Sequence, residues 1–162
     1  MKLVCLITTF FILISFNASA QKPAPTIPDF TFFRLDNTPF KTGDLQKDKQ
    51  LFFVFFDTEC EHCQRAMTYL NGHYDDFKKA AIQLITLDSP EKLNAFFPKY
   101  GPTLRSKKNI TLLIDKQYQF IPKFGPKKYP SMYLYAADKK LVKYEDDDSK
   151  VSEFGKAIKA GK

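Results

Sequence analysis

Leu51–Phe56 reads LFFVFF, an unbroken apolar run that fits a central strand buried on both faces. Just after it the pattern changes period. Cys63, Met67, Leu70, Tyr74 and Phe77 recur three or four positions apart, which predicts an amphipathic helix over 61–79 with a bend at Gly72. Residues 81–88, AIQLITLD, form the next predicted strand. SPEKLNAFFPKY follows as a helix, with Ser89 at the N-cap and Pro90 in the first turn. Residues 101–109 read as a loop, 110–115 as a short strand and 116–124 as a short helix. SMYLYAADKKLVKYE reads as a hairpin turning at Ala137-Asp138-Lys139. Asp146–Asp148 then stands as an acidic cap before a last helix from about Lys150 to Ala160. Upstream, FTFFRLDNTPF gives a short edge strand, a turn and a second short extended piece. The order β-β-α-β-α-β-α-β-β-α predicts an α/β fold: a mixed central sheet flanked by helices, parallel in its first half.

The first twenty residues are of another kind. Lys2 precedes fourteen residues, LVCLITTFFILISF, with no charge, and ASA closes the segment at Ala18–Ala20. Residues 1–20 therefore read as a secretory signal peptide, too short in its apolar stretch for the roughly 20 residues of a spanning helix. Cys5 lies within that stretch and reads as apolar filler. QKPAPTIPD, residues 21–29, reads as an extended Pro-rich linker, and residues 30–162 as one domain.

Removal of that segment changes the chemistry of the chain. Its three cysteines become two, in a compartment where disulfides persist. Its 25 Lys and Arg become 24 without Lys2, against 18 Asp and Glu, a net +6. The excess is scattered in Lys107-Lys108, Lys127-Lys128 and Lys139-Lys140, and no nucleic-acid motif accompanies it. A solvated basic surface is the expected reading, with no nucleic-acid partner.

Cys60 and Cys63 form a CxxC pair between the apolar run and the helix. As a staple it would do little: a four-residue ring constrains the unfolded chain by about 2 kcal/mol, against about 4.7 for a 100-residue loop. As a metal site, Cys60, Cys63, His62 and His73 supply borderline ligands. The second ligand pair of a four-coordinate zinc site would have to come from a separate element, and no His stands elsewhere. As a redox pair the position fits. Cys60 sits near a helix N-terminus, where orphan N–H groups and the dipole favour a thiolate, and Cys63 lies one turn on, placed to resolve a mixed disulfide.

FFVFFDTECEHCQRAMTYL resembles the active-site strand, turn and helix of the thioredoxin superfamily. IPDFTFFRLDNTPFKTGDLQKDKQ resembles the entry segment of its exported TlpA/ResA-like branch, and FGPKKYPSMYLYAADKKLV the proline loop and hairpin. The likeness runs over about residues 27–160. It implies a thioredoxin-like fold and thiol–disulfide exchange on protein partners outside the cytoplasm. It also implies a membrane-linked electron donor, no cofactor or metal, and a periplasmic location if the host is Gram-negative. Cys60 would attack and Cys63 resolve. His62, with Asp57, Glu59 and Glu61 opposing it, would tune the charge at the pair. Tyr129 and a cis Pro130 would dock the substrate chain. The alternative is a non-catalytic binding or metal-handling module on the same fold.

Three departures stand out. Glu59 replaces the Trp frequent before the first cysteine. Val54 replaces the buried acid of thioredoxin proper, and Ala66 the Glu frequent in the exported branch. Asp57, Glu59 or a water is left to take the proton of Cys63. Peroxiredoxins share the fold but place Pro and Thr seven and three residues before their attacking cysteine; here those positions hold Phe53 and Asp57, against a peroxidase.

Overall fold

The computed structural model describes residues 22–161. The segment read as a signal peptide, Cys5 included, lies outside the described residues. Seven strands form one mixed sheet: β1 (Thr31–Phe33), β2 (Pro39–Lys41), β3 (Leu51–Phe55), β4 (Ala81–Thr86), β5 (Ile110–Ile114), β6 (Ser131–Tyr135) and β7 (Leu141–Glu145), in the order β2-β1-β5-β4-β3-β6-β7. The strands β3, β4 and β5 are parallel, joined by α1 (Glu61–Gly72) and α2 (Pro90–Tyr100). The other pairings are antiparallel. A short α3 (Phe120–Phe124) precedes β6, and α4 (Val151–Ala160) ends the described chain.

The apolar run in β3 is uninterrupted because both its faces are covered. Successive strand side chains alternate, so Phe52 and Val54 enter the core beneath α1, α2 and α4, where Met67, Leu70, Phe97 and Phe154 pack. Leu51, Phe53 and Phe55 enter a second core with Phe30, Phe32, Phe120, Phe124 and Tyr133. In this second layer Phe120 and Phe124 stack at 4.2 Å between ring centroids, and Phe55 stacks on Phe120 at 4.3 Å.

Three expectations are corrected. The extended piece after the first turn is a strand, β2, so the sheet has seven strands and β1 is not its edge. The helix predicted over 61–79 stops at Gly72. A 3-10 turn at Tyr74–Asp76 follows, so Phe77 reaches the core without a continuous helix. The proline-rich segment is extended, but it is docked. Ala24 N–H donates to Phe124 O at 2.9 Å, Ile27 N–H to Lys139 O at 3.1 Å, and Pro25 O accepts Leu141 N–H at 2.8 Å. Ala24 and Ile27 are buried, and the Tyr135 hydroxyl donates to Ala24 O at 3.1 Å. Prolines fall where no donor is needed, and the residues between them supply the N–H groups.

The topology opens a crevice at the end of β3. Strand β3 continues into the sheet through β4 on one side and meets the antiparallel β6 on the other, so the carboxyl end of β3 lies beside the start of β6. Such a switch in strand order leaves the carboxyl ends open between the crossover helices. Among the described residues, no helix is long and apolar enough to cross a membrane.

Candidate active site

The pair sits at that crevice. Cys60 is the N-cap of α1, in extended backbone conformation and partly exposed. Cys63 is fully buried one turn further along, and both are free thiols. Because Phe55 pairs with Ser131, the residues just before β6 fall opposite those just after β3. The Tyr129-Pro130 peptide bond is cis, and the Cys60 thiol lies 3.8 Å from Tyr129 O. The Tyr129 ring packs on Phe55 at 4.9 Å. Its hydroxyl is pushed up to about 12, first by burial and then by the charges of Asp57 and Asp88. Burial drives the Cys63 thiol far above its ordinary value. The Asp57 N–H, 3.5 Å from Sγ, works against this, while Cys60 and the Asp57 carboxylate add to it. The two thiols are thus held in unlike environments, one open and helix-terminal, one dry.

The turn that presents Cys60 is fastened from the neighbouring strand. Asp88, just beyond β4, accepts both the Thr58 N–H and the Thr58 hydroxyl at 2.8 Å, and the Thr86 hydroxyl at 3.3 Å. Gln64 closes the turn from α1 by donating to Thr58 O at 3.2 Å, and Asp57 Oδ1 accepts the Glu59 N–H at 2.7 Å. Burial raises the Asp88 carboxyl, but the Thr58 bonds and the Lys92 charge outweigh it and leave it below the ordinary range. A depressed carboxyl stabilises the fold above its unfolded value near 3.9, and that contribution fades as pH falls through the lower folded value. Asp88→Ala is therefore expected to cost about 2–3 kcal/mol at pH 7, as buried donors lose a charged acceptor. Its deficit against the parent should shrink below about pH 4, measured by urea denaturation at both pH values.

His62 lies on the exposed side of the same first turn. Its Nδ1 is 2.6 Å from Asp148 Oδ1, and Arg65 Nε is 2.7 Å from Asp148 Oδ2. Arg65 Nη2 also approaches His62 Nδ1 at 2.7 Å. Asp148 is only 12% exposed. Burial raises its carboxyl, but Arg65 and His62 together hold it below the ordinary range. This corrects the reading of Asp146–Asp148 as one cap. Asp147 caps the 3-10 turn before α4 by accepting the Ser149 N–H, whereas Asp148 reaches across to α1.

The remaining predicted residues are distributed unevenly. Glu59 is exposed and paired with Lys92 at 2.9 Å, and Glu61 is exposed on the first turn beside Arg65. Val54 and Ala66 are buried among apolar neighbours, so neither place beneath Cys63 carries an acid. His73 stacks on Tyr69 at the far end of α1, about 20 Å along the helix from Cys60, so the four metal ligands weighed above do not converge. Asp88, Thr58, Arg65 and Asp148 were not found from the sequence. One signal did point to Asp88, an acid two residues past a parallel strand, where such sheets place their sites.

Comparisons with known proteins agree with this geometry. Over 118 residues the chain is 29% identical to the thiol-disulfide oxidoreductase ResA of Bacillus thuringiensis (strain Al Hakam), covering 71% of this chain and 64% of that one. The chain thus spans slightly less than two-thirds of that relative's length. Among solved structures, a secreted Mycobacterium tuberculosis disulfide oxidoreductase homologous to E. coli DsbE superposes with a TM-score of 0.64 at 19% identity, covering 81% of this chain and 95% of that one. The peroxidoxin BcpB of the same organism superposes at 0.68 and 18%, covering 88% and 99%. These structures share the α/β, thioredoxin-like architecture. Residues 23–144, from the docked proline-rich segment to the end of the sheet, match the AhpC/TSA family, and the chain belongs to it.

Proposed function

We propose that this protein is an exported thiol–disulfide oxidoreductase that exchanges electrons with protein disulfides through Cys60 and Cys63. The observation that carries the reading is the asymmetry of the pair: a partly exposed, helix-terminal Cys60 facing the Tyr129 carbonyl, backed by a buried Cys63. Cys60 attacks a substrate sulfur, the backbone at Tyr129-Pro130 receives the substrate chain, and Cys63 releases it. His62 tunes the charge at the turn, muted by its Asp148 partner and opposed by Glu59, Glu61 and Asp57. Exposed charges of this kind each contribute less than about 1 kcal/mol. Export rests on the apolar N-terminal segment ending at Ala20. It places the partners outside the cytoplasm, in the periplasm for a Gram-negative host, with electrons from a membrane-linked donor.

The reading is tested by giving the dithiol form a protein disulfide such as that of insulin. One disulfide should be reduced per protein oxidised, and many when a dithiol is supplied in excess. Stoichiometric metal binding without exchange would favour the non-catalytic alternative, and rapid peroxide consumption by Cys60 would favour a peroxidase.

A further inference from the structure

Resolution of a mixed disulfide needs the Cys63 proton to leave, and the two places beneath Cys63 hold Val54 and Ala66, both buried and apolar. Four carboxylates stand near the turn, and Glu61 among them is exposed on the first turn of α1 beside Arg65. Glu59 is 76% exposed and held outward by Lys92 at 2.9 Å. Asp88 is occupied by the N–H and hydroxyl of Thr58. Asp57 remains. Its own N–H reaches Cys63 Sγ at 3.5 Å, and its Oδ1 is turned back onto the Glu59 N–H at 2.7 Å, which fixes the carboxylate over the turn between β3 and α1. It is only partly buried, so a proton taken there can pass on to water.

We propose that Asp57 is the proton acceptor for Cys63, an acid moved from beneath the buried thiol to the turn beside it. This rests on the thiol–disulfide reading above. In the resolving step Cys63 Sγ–H gives its proton to the Asp57 carboxylate while Cys63 Sγ attacks Cys60 Sγ. The Cys60–Cys63 bond forms, the bond from Cys60 to the substrate sulfur breaks, and its electron pair leaves on that sulfur as a thiolate. The protein dithiol is oxidised by two electrons and the substrate disulfide reduced by two. Cys63 is buried and raised in part by the Asp57 charge, so it does not ionise unaided near neutrality. Moving the proton to Asp57 neutralises the carboxylate as the sulfur becomes anionic, so two anions never stand side by side. The other charged and titratable groups at the turn are Cys60, Glu59, Glu61, Asp88 and Lys92, with His62 and Arg65 on its exposed side held by Asp148 and Tyr129 across the crevice.

Asp57→Asn separates this role from a structural one. An Asn Oδ1 still accepts the Glu59 N–H and the backbone N–H still reaches Cys63, so only charge and basicity are lost. The probe is 5,5′-dithiobis(2-nitrobenzoate), mixed rapidly with the reduced protein. The first release of thionitrobenzoate reports Cys60 attack and the second reports resolution by Cys63. The first release should be unchanged or faster in the variant, because a nearby negative charge is gone. The second should slow about ten-fold or more, at the lower end of what a positioned base contributes, and recover in part with added formate or imidazole. Asp57→Ala, which also loses the turn bond, should slow both. If the second release is unchanged or faster in Asp57→Asn, Asp57 acts only through its charge and the proposal is overturned. Absence of the first release in the parent protein would instead overturn the thiol–disulfide reading on which it rests.

Discussion

Replacement of Cys60 by serine is expected to remove protein-disulfide exchange altogether, by roughly a thousand-fold or more, since a hydroxyl supplies no thiolate at neutral pH. Replacement of Cys63 by serine should leave the first half of the reaction intact and arrest the second. Cys60 would still attack, but nothing one turn away could release the product, so mixed disulfides with substrate chains should accumulate. The geometry makes the direction of this asymmetry firm. Cys60 is partly open beside Tyr129 O, whereas Cys63 is fully buried, with its thiol pushed up by that burial. A limiting dose of iodoacetamide should therefore modify Cys60 much faster than Cys63 in the reduced protein. Mass spectrometry of the trapped species checks both statements. Equal alkylation rates, or mixed disulfides accumulating in the Cys60→Ser variant, would reverse the roles.

The largest loss of stability is expected from Phe124→Ala. The ring is fully buried and lies against Phe120 at 4.2 Å, Phe53 at 5.5 Å, and Phe30, Phe32 and Tyr133 at 6.0 to 6.3 Å. Removing it leaves a cavity that flat, stacked neighbours cannot collapse into, and such truncations cost about 3–5 kcal/mol. A domain of this size is stable by about 5–15 kcal/mol, so about a fifth of the margin at the least would go, with a fall in Tm of roughly 10 °C. The urea midpoint should drop with an unchanged slope. A loss under about 1 kcal/mol would mean that the second core layer repacks freely and is not held by its ring stacking.

Elements defined by their own periodicity were legible in the sequence. The run at Leu51–Phe55, the Ser89-Pro90 start of α2 and the hairpin of β6 and β7 carry their patterns locally, and they formed where those patterns put them. The three-residue β2 showed only as a short extended piece, because Pro39–Lys41 is too short to display alternation and its pairing with β1 makes it a strand. The overlong helix has a related cause. Leu70, Tyr74 and Phe77 keep helical spacing because all three must face the core, and a 3-10 turn after Gly72 meets that demand as well as another helical turn would. In the site, the cysteines and Tyr129-Pro130 were legible because motif and topology both place them. Thr58–Asp88 and His62–Asp148 were not, because partners 30 and 86 residues apart are joined only by the folded sheet.

The docked proline-rich segment has a mechanical consequence. Ala24 is hydrogen-bonded to Phe124 O at 2.9 Å, and the chain runs from there through Gly125 directly into the Lys127–Pro130 loop that faces Cys60. Tension on the chain ahead of Lys22 would load that bond first, and with it the loop that faces Cys60. The leash and the jaw are one piece, so a protein pulled from its N-terminus would carry the load into the loop beside Cys60.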